Sequence, residues 1–326
     1  MRCIKRLGVA ILLFSICATT RAETLTVATF NAEFLLPGKV HIKYGLSFNL
    51  SDHDQAIQDE WNNSFFLSQK FQTATDLVAD VLAPIETDVL TLTEVGKEPD
   101  VDLLVSALRD RGQDYPHVAV CECTDFSTGQ KVAVLSKLPF IDILPEIPGR
   151  EGYELEEDDP DEQKDTGISK GMRVTVEKGG QPVHIYVLHL ASERGGHEKD
   201  NQRVAQASIV RRHMIPALNE GHHVIVTGDL NDRRGQPTLR RIRGLDDMWS
   251  DLIQTGHWKF FEEGEEASRW TYRFRGENNQ IDHILPSYSL RKTQNSSIRT
   301  SVIEVPERVN PSISDHRPLV VSIELP

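Results

Sequence analysis

Residues 222–231, His222-His223-Val224-Ile225-Val226-Thr227-Gly228-Asp229-Leu230-Asn231, are the stretch on which the fold turns. The apolar, β-branched run up to Thr227 reads as a buried strand. Glycine at 228 permits a close backbone turn, and Asp229 and Asn231, two apart, point to one side. An acceptor-only carboxylate beside an amide that both donates and accepts suits a water or phosphate next to a metal ion. In isolation, an Asx-rich turn capping the next helix would have the same sequence.

Working outward, five more polar signatures close apolar, strand-like runs: Thr29-Phe30-Asn31, Thr93-Glu94-Val95, Leu188-His189-Leu190, Ile281-Asp282-His283 and Ser314-Asp315-His316. Asn31 and Glu94 sit where an unpaired buried polar group would cost on the order of a few kcal/mol. A metal or phosphate would resolve that cost, and so would an ordinary hydrogen bond. Asp282 is expected to face inward, with alternation turning His283 the other way. His189 ends an apolar strand, a place where a hydrogen-bonded core histidine is also common. Ser314-Asp315-His316 sets a carboxylate next to an imidazole. Together these residues supply carboxylates, carboxamides and imidazoles, with no serine or cysteine placed as a nucleophile. That mixture suits a hard divalent cation with oxygen ligands, plus histidines that move protons as water attacks a phosphate ester.

Between these signatures α and β elements alternate throughout. Thr24 to Phe30, Asp88 to Leu92 and Val132 to Ser136 read as strands, and Ser64 to Ala83 and Val101 to Leu108 as helices. Leu35 to Asn63 has no clear period and is expected to be a long loop. Met172 to Glu177 and Val183 to Leu190 form a hairpin across Lys178-Gly179-Gly180-Gln181. Asn201 to Leu218 has helical spacing, and Ile281 to Leu285 and Leu319 to Leu325 complete the strands. Nine acidic residues fall between Glu151 and Asp165. Without alternating ligand spacing and a glycine, they read as a solvated surface insertion rather than a calcium loop.

Residues 1–22 read as an export signal. Arg2, Lys5 and Arg6 precede an apolar stretch from Leu7 to Ala18, which is too short to span a bilayer, and Thr20-Arg21-Ala22 offers a cleavage site. Phe14-Ser15-Ile16 opposes a lipoprotein reading through Cys17. The expected mature chain, residues 23–326, is one domain, exported to a periplasm or secreted, monomeric and without stable membrane insertion. Removing the signal takes away four basic residues and no acidic ones, leaving 32 basic against 49 acidic. Such a charge opposes indiscriminate binding to polyanions, although a metal and a local basic strip can override the mean field. Cys121 and Cys123 are then the remaining cysteines, and an exported pair is expected to form a local disulfide.

The ordered set of signatures resembles the endonuclease/exonuclease/phosphatase family, the fold of secreted deoxyribonucleases and abasic-site endonucleases. His189-Leu190-Ala191-Ser192-Glu193-Arg194-Gly195-Gly196, followed by Gln202-Arg203-Val204-Ala205-Gln206-Ala207, is similar to the segment after a catalytic histidine in exported bacterial members. Arg269-Trp270-Thr271-Tyr272 is also similar, and the likeness runs from Thr24 to Leu325.

The resemblance implies an α/β four-layer sandwich, two mainly antiparallel sheets face to face with helices outside. It places Asn31, Glu94 and Asp315 at a metal, with Glu94 the principal ligand, and Asn31 and Asn231 also at the substrate. His189, Asp229, Asn231, Asp282 and His316 carry the chemistry: the histidines handle protons, Asp229 and Asn231 orient water and phosphate, and Asp282 stabilises the transition state. Asp315 is expected to orient His316 or to ligate, and Arg173 to contact phosphate. The ion expected is Mg²⁺, with Mn²⁺ or Ca²⁺ as alternatives. Thr93 departs from the Gln often found there, and the Arg150–Gly171 insertion has no counterpart. The expected activity is metal-dependent phosphodiester cleavage of nucleic acid. A phosphatase or a phospholipid (sphingomyelinase-like) or inositol-phosphate hydrolase is the alternative, and an inactive interaction module the non-enzymatic one.

Overall fold

The computed structural model describes residues 23–123, 125–155, 163–245, 251–262, 264, 268–290, 298–306 and 310–325. The expected export signal lies outside them. Two sheets carry the fold. The first, in spatial order, contains β14 (Ile298–Val302), β15 (Leu319–Glu324), β1 (Thr24–Leu35), β2 (Val89–Val95), β4 (Lys131–Ser136) and β3 (His117–Val120). The second contains β13 (Asp282–Pro286), β10 (His223–Asp229), β9 (Gln181–His189), β8 (Gly171–Lys178) and β5 (Phe140–Leu144). Each sheet is antiparallel apart from one central parallel pair, β1 with β2 and β9 with β10. A parallel pair needs a crossover. Helices α1 (Gln55–Asn62) and α2 (Ser64–Leu82) make the first, and α4 (Gly196–Asn219) makes the second.

Strand alternation builds the layers. Leu25 and Val27 of β1 and Val89 of β2 pack with Val183, Ile185 and Val187 of β9, Ile225 of β10 and Ile284 of β13, forming a core between the sheets. The intervening residues face outward. Ala28, Phe30, Leu90 and Leu92 pack under α2 and α3 (Glu98–Arg109). Tyr186, Leu188, Val224 and Val226 pack under α4 and α5 (Pro237–Arg243). The result is the four-layer sandwich that the family resemblance implied. Thr91 and Thr227 hydroxyls meet across the sheets at 3.2 Å.

The stretch read as one long loop holds α1 and two 3-10 turns, Val40–Tyr44 and Leu50–Asp52. Its period is weak because short, separately capped pieces replace one amphipathic helix. Asp54 caps α1 through Ile57 N–H at 3.0 Å, and Asn63 caps α2 through Phe65 and Phe66 N–H. The acidic insertion contributes a hairpin, β6 (Glu151–Glu154) with β7 (Gln163–Thr166). The central 156–162 of that insertion lies outside the described residues. Gly179 and Gly180, both with positive φ, close the β8–β9 hairpin. Cys121 and Cys123 are disulfide-bonded.

Candidate active site

The inter-sheet face changes from apolar to polar at one rim, and that change builds the site. Along β1 the inward series Leu25, Val27, Thr29 ends in Asn31; along β9 Val183, Ile185, Val187 ends in His189. Ile225 and Thr227 of β10 lead to Asp229, and on β13 Asp282 shares the face of Ile284. All four side chains are buried, at 1%, 5%, 2% and 0% exposure in that order. Four of the contributing strand ends are carboxyl ends of the two parallel pairs, where open α/β sheets place their ligands.

Glu94 reaches the rim only through backbone distortion, and Asn231 also leaves the regular strand conformation. Alternation alone would point Glu94 outward with Leu92. Instead the β2–β4 register shifts between Thr93 and Val95, and Glu94 adopts a φ of 58°. Asn231 has a φ of 49°. Left-handed non-glycine residues cost about 1–3 kcal/mol each and gather at functional sites. Gly228 solves the approach of β10 to β9: with φ at 118°, a Cβ there would lie 2.1 Å from the Leu188 carbonyl oxygen.

Asn31 ties the carboxylates together. Its Nδ2 donates to Glu94 Oε1 at 3.2 Å and to Asp229 Oδ2 at 2.9 Å, while Oδ1 accepts from Glu33 N–H. Glu94 Oε2 accepts from Phe34 N–H at 3.0 Å, and Asp229 Oδ1 from Asn231 N–H at 2.9 Å. The Asn231 amide donates to the Leu190 carbonyl at 3.0 Å. The Nε2 atoms of His189 and His316 both approach Asp229 Oδ2, at 3.8 Å and 3.9 Å. His189 Nε2 is also 3.7 Å from Glu94 Oε1.

His316 is oriented by Asp282, whose Oδ2 lies 2.7 Å from Nδ1. Asp315, expected to orient or ligate, reaches only to within 3.8 Å of Nε2 and is 41% exposed. The ring partner is therefore supplied by the facing sheet and not by the neighbour in sequence. Adjacent residues of an extended segment point to opposite sides.

The charges follow from burial and neighbours. Burial and then Asp315 raise Glu94, and burial and then Asp282 push Asp229 up to about 7. Burial, then the charges of Lys170 and His316, hold His189 well below the usual imidazole range. Burial opposes a charge on His316, yet Asp282, through charge and hydrogen bond, with Asp315 and Asp229, holds it well above. At neutral pH one histidine is neutral and the other cationic.

Glu94, His189 and Asp229 each place a ligand atom within 4.8 Å of the other two. Two buried carboxylates linked by one amide, both raised by desolvation, fit a divalent cation that would neutralise them. Glu94 and Asp229 would hold it, with Asp315 at the open side. In this arrangement Asn31 directs its amide N–H groups at the carboxylates, so it aligns ligands.

The structure does not bring Arg173 to the site. It stands opposite Tyr186 on β9 and pairs with Asp142 of β5. Alternation carries it to the outer face, because Met172 and Val174 take the inner one. Conversely, sequence reading passed over Lys170, whose Nζ is 3.8 Å from Asp125 Oδ2 and which lines the cavity. Thr271, read there only within a similar stretch and given no role, has a hydroxyl that accepts from Ile281 and Asp282 N–H at 3.3 and 3.2 Å. Lys170 stands just ahead of β8, where a basic residue shortly after the acidic segment was the available signal. Tyr272 lies against the His316 ring, with centroids 4.7 Å apart.

These groups open on a cavity of about 790 Å³. Its walls carry Lys170, Arg194, Lys199 and Arg233, and the rings of Tyr272 and Phe274 on β11 (Tyr272–Phe274).

The fold is similar to that of several solved structures. A double variant of beta toxin from Staphylococcus aureus with bound magnesium ions matches at 15% identity and a TM-score of 0.55, covering 92% of this chain and 99% of that one. Truncated TDP2 from Caenorhabditis elegans matches at 18% identity and a TM-score of 0.53, covering 92% and 98%. Sphingomyelinase C from Streptomyces griseocarneus matches at 18% identity and a TM-score of 0.52, covering 92% and 99%. At these identities the likeness speaks for the fold. No curated protein matches the sequence. A family profile does, over residues 29–316, a span that holds every strand end assembled above, and the chain belongs to the endonuclease/exonuclease/phosphatase family.

Proposed function

We propose that this chain is a metal-dependent phosphoester hydrolase that cleaves phosphodiester bonds of nucleic acid. The observation that carries the chemistry is Asp229, approached by a neutral and a cationic imidazole beside the Glu94 carboxylate. A bound Mg²⁺-type cation would polarise a phosphoryl oxygen and neutralise charge on the departing one. Asp229, ionised beside such a cation, would orient the attacking water through its carboxylate. Asn231 fixes that carboxylate through its backbone N–H. The His316 imidazolium, aimed by Asp282, offers Nε2–H to phosphoryl charge or to the leaving oxygen. Neutral His189, with Nε2 3.8 Å from Asp229 Oδ2, would accept the proton of that attacking water.

The substrate reading rests on the cavity walls. Lys170, Arg194, Lys199 and Arg233 offer charge for phosphate, beside the exposed Phe274 ring and the half-buried Tyr272 ring for bases. Once a cation offsets the carboxylates of the same walls, this set suits a polynucleotide. The turn joining β11 to β12 (Glu277–Asn279) is Arg275-Gly276, an exposed charged tip rather than an apolar one suited to a lipid surface. Residues 1–22 and the Cys121–Cys123 bond support an exported location. Among the described residues no helix is long and apolar enough to cross a membrane.

The test is cleavage of plasmid DNA, RNA, sphingomyelin, inositol phosphates and a simple phosphomonoester with Mg²⁺, Mn²⁺, Ca²⁺ or EDTA, beside His189→Ala. EDTA-sensitive nicking that is lost in the variant is expected. Release of a lipid headgroup or phosphate without nicking would move the substrate and keep the site.

A further inference from the structure

Beside the catalytic cavity lies a second one of about 380 Å³, bounded by Arg233, Arg234, Arg269, Trp270, Asn279 and Gln280 among others. Its described lining holds three guanidinium groups, of which Arg233 also pairs at 3.8 Å with Glu193 of the catalytic cavity, in a chain with 49 acidic and 36 basic residues. Arg233 and Asn279 also line the catalytic cavity, so the two spaces share a wall.

The lining is built rather than incidental. Gln280 Nε2 is buried with no acceptor among the described residues. Its amide packs on Gly256, where a Cβ would fall 2.1 Å from Gln280 Oε1. Trp270 carries the guanidinium of Arg317 at 3.4 Å from its ring centroid and that of Arg273 at 4.5 Å. Both are engaged elsewhere, Arg317 with Glu304 at 3.9 Å and Arg273 Nε with Asn278 Oδ1 at 2.9 Å, so they fix the indole wall and add positive charge beside it. Nearby His257 is lowered by burial first and then by the charges of Arg234, Lys259 and Arg269, the mark of a locally positive field.

We infer that this second cavity is an anion subsite that takes a non-scissile phosphate of the polynucleotide strand whose scissile phosphate occupies the catalytic cavity. The identity of the strand rests on the nuclease reading above. A polynucleotide presents a phosphate at every residue, and an acid-rich chain needs a local basic track to hold one. A simple phosphodiester has no second phosphate with which to fill this space.

The experiment uses the full mature chain and Arg234→Gln, Arg269→Gln and the double variant, each checked by thermal melting. Binding of a labelled single-stranded oligonucleotide is read by fluorescence anisotropy in EDTA across a salt series. Hydrolysis of bis(4-nitrophenyl) phosphate with Mg²⁺ is read in parallel. The double variant is expected to bind the oligonucleotide about tenfold more weakly, with a salt slope lower by about 0.7 per contact removed. Its turnover of the small diester should stay within about twofold. Equal losses on both substrates, or undiminished oligonucleotide binding, would overturn the subsite. Small-diester hydrolysis by the parent chain without oligonucleotide binding would also overturn it, leaving the phosphodiesterase chemistry standing. Charge-dependent binding without hydrolysis of any diester would sustain the subsite and remove the activity.

Discussion

Replacing Lys43 with methionine tests how the rim is held together. The Lys43 ammonium is buried, and its Nζ donates to the carbonyls of Ala32 at 2.7 Å, Glu33 at 2.9 Å and Ile313 at 2.7 Å. Glu33 and Phe34 have φ of 44° and 51°, so this cation holds a strained turn, and the same turn presents Phe34 N–H to Glu94. The third carbonyl belongs to the segment that carries Asp315 and His316, further anchored by Ser314, whose hydroxyl donates to the Asn31 carbonyl. Each abandoned carbonyl costs about 1–3 kcal/mol. Relief of the buried ammonium offsets part of this, leaving a net loss of roughly 3–5 kcal/mol, as for other broken buried charge arrangements. At roughly 2 °C per kcal/mol for a chain of this size, Tm should fall by about 6–10 °C. Below the new Tm, the variant should also need more Mg²⁺ for half-maximal thermal stabilisation, because Glu94 loses its aligned donor. Differential scanning fluorimetry across a Mg²⁺ titration reads both quantities. An unchanged Tm, or a lowered Tm with unaltered Mg²⁺ dependence, would refute the link from Lys43 to the metal carboxylate.

Asp282→Asn should lower turnover by about 10²–10⁴-fold while the fold persists. Since Asp282 holds His316 protonated against burial, the alkaline limb of the pH–rate profile should move to lower pH; a stationary limb would reject the dyad. Asp229 is raised in the folded chain to about 7, so its contribution to stability is present below about 3.8 and lost as pH rises through about 7. A cation favours the ionised form, so the Tm gain from Mg²⁺ should be larger at about pH 8 than at about pH 6. An equal gain at both would exclude Asp229 as a ligand. Gly228→Ala must place a Cβ 2.1 Å from the Leu188 carbonyl at a φ of 118°, so a loss on the order of 4 kcal/mol or more is expected. A soluble variant that melts with the parent would contradict that packing.

Much of the site was legible because strand alternation is a local property. A polar residue continuing an inward apolar series announces itself, as Asn31, His189, Asp229 and Asp282 do. Glu94 was legible only as a residue type at a strand end, since a register shift and a left-handed φ aim it. Arg173 misled because a guanidinium suits phosphate wherever it sits, while its face on β8 depends on which neighbours take the core. Strands β3, β5 and β14 were missed, because each is a short edge strand of four or five residues, partly open to solvent, and so short a run carries little period.

By itself, the sequence determined the buried strands of both sheets, the long helices and the residue types at the rim, since each follows from short-range periodicity. Tertiary structure decided which of those residues meet. Asp282 and His316 are 34 residues apart, and Asn31 and Asp229 are 198 apart. Their charges are equally non-local, because burial between two sheets and carboxylates from distant strands leave His189 neutral and His316 charged. A hydrogen bond across a sandwich is fixed by how the sheets stack, and stacking depends on every side chain between them at once.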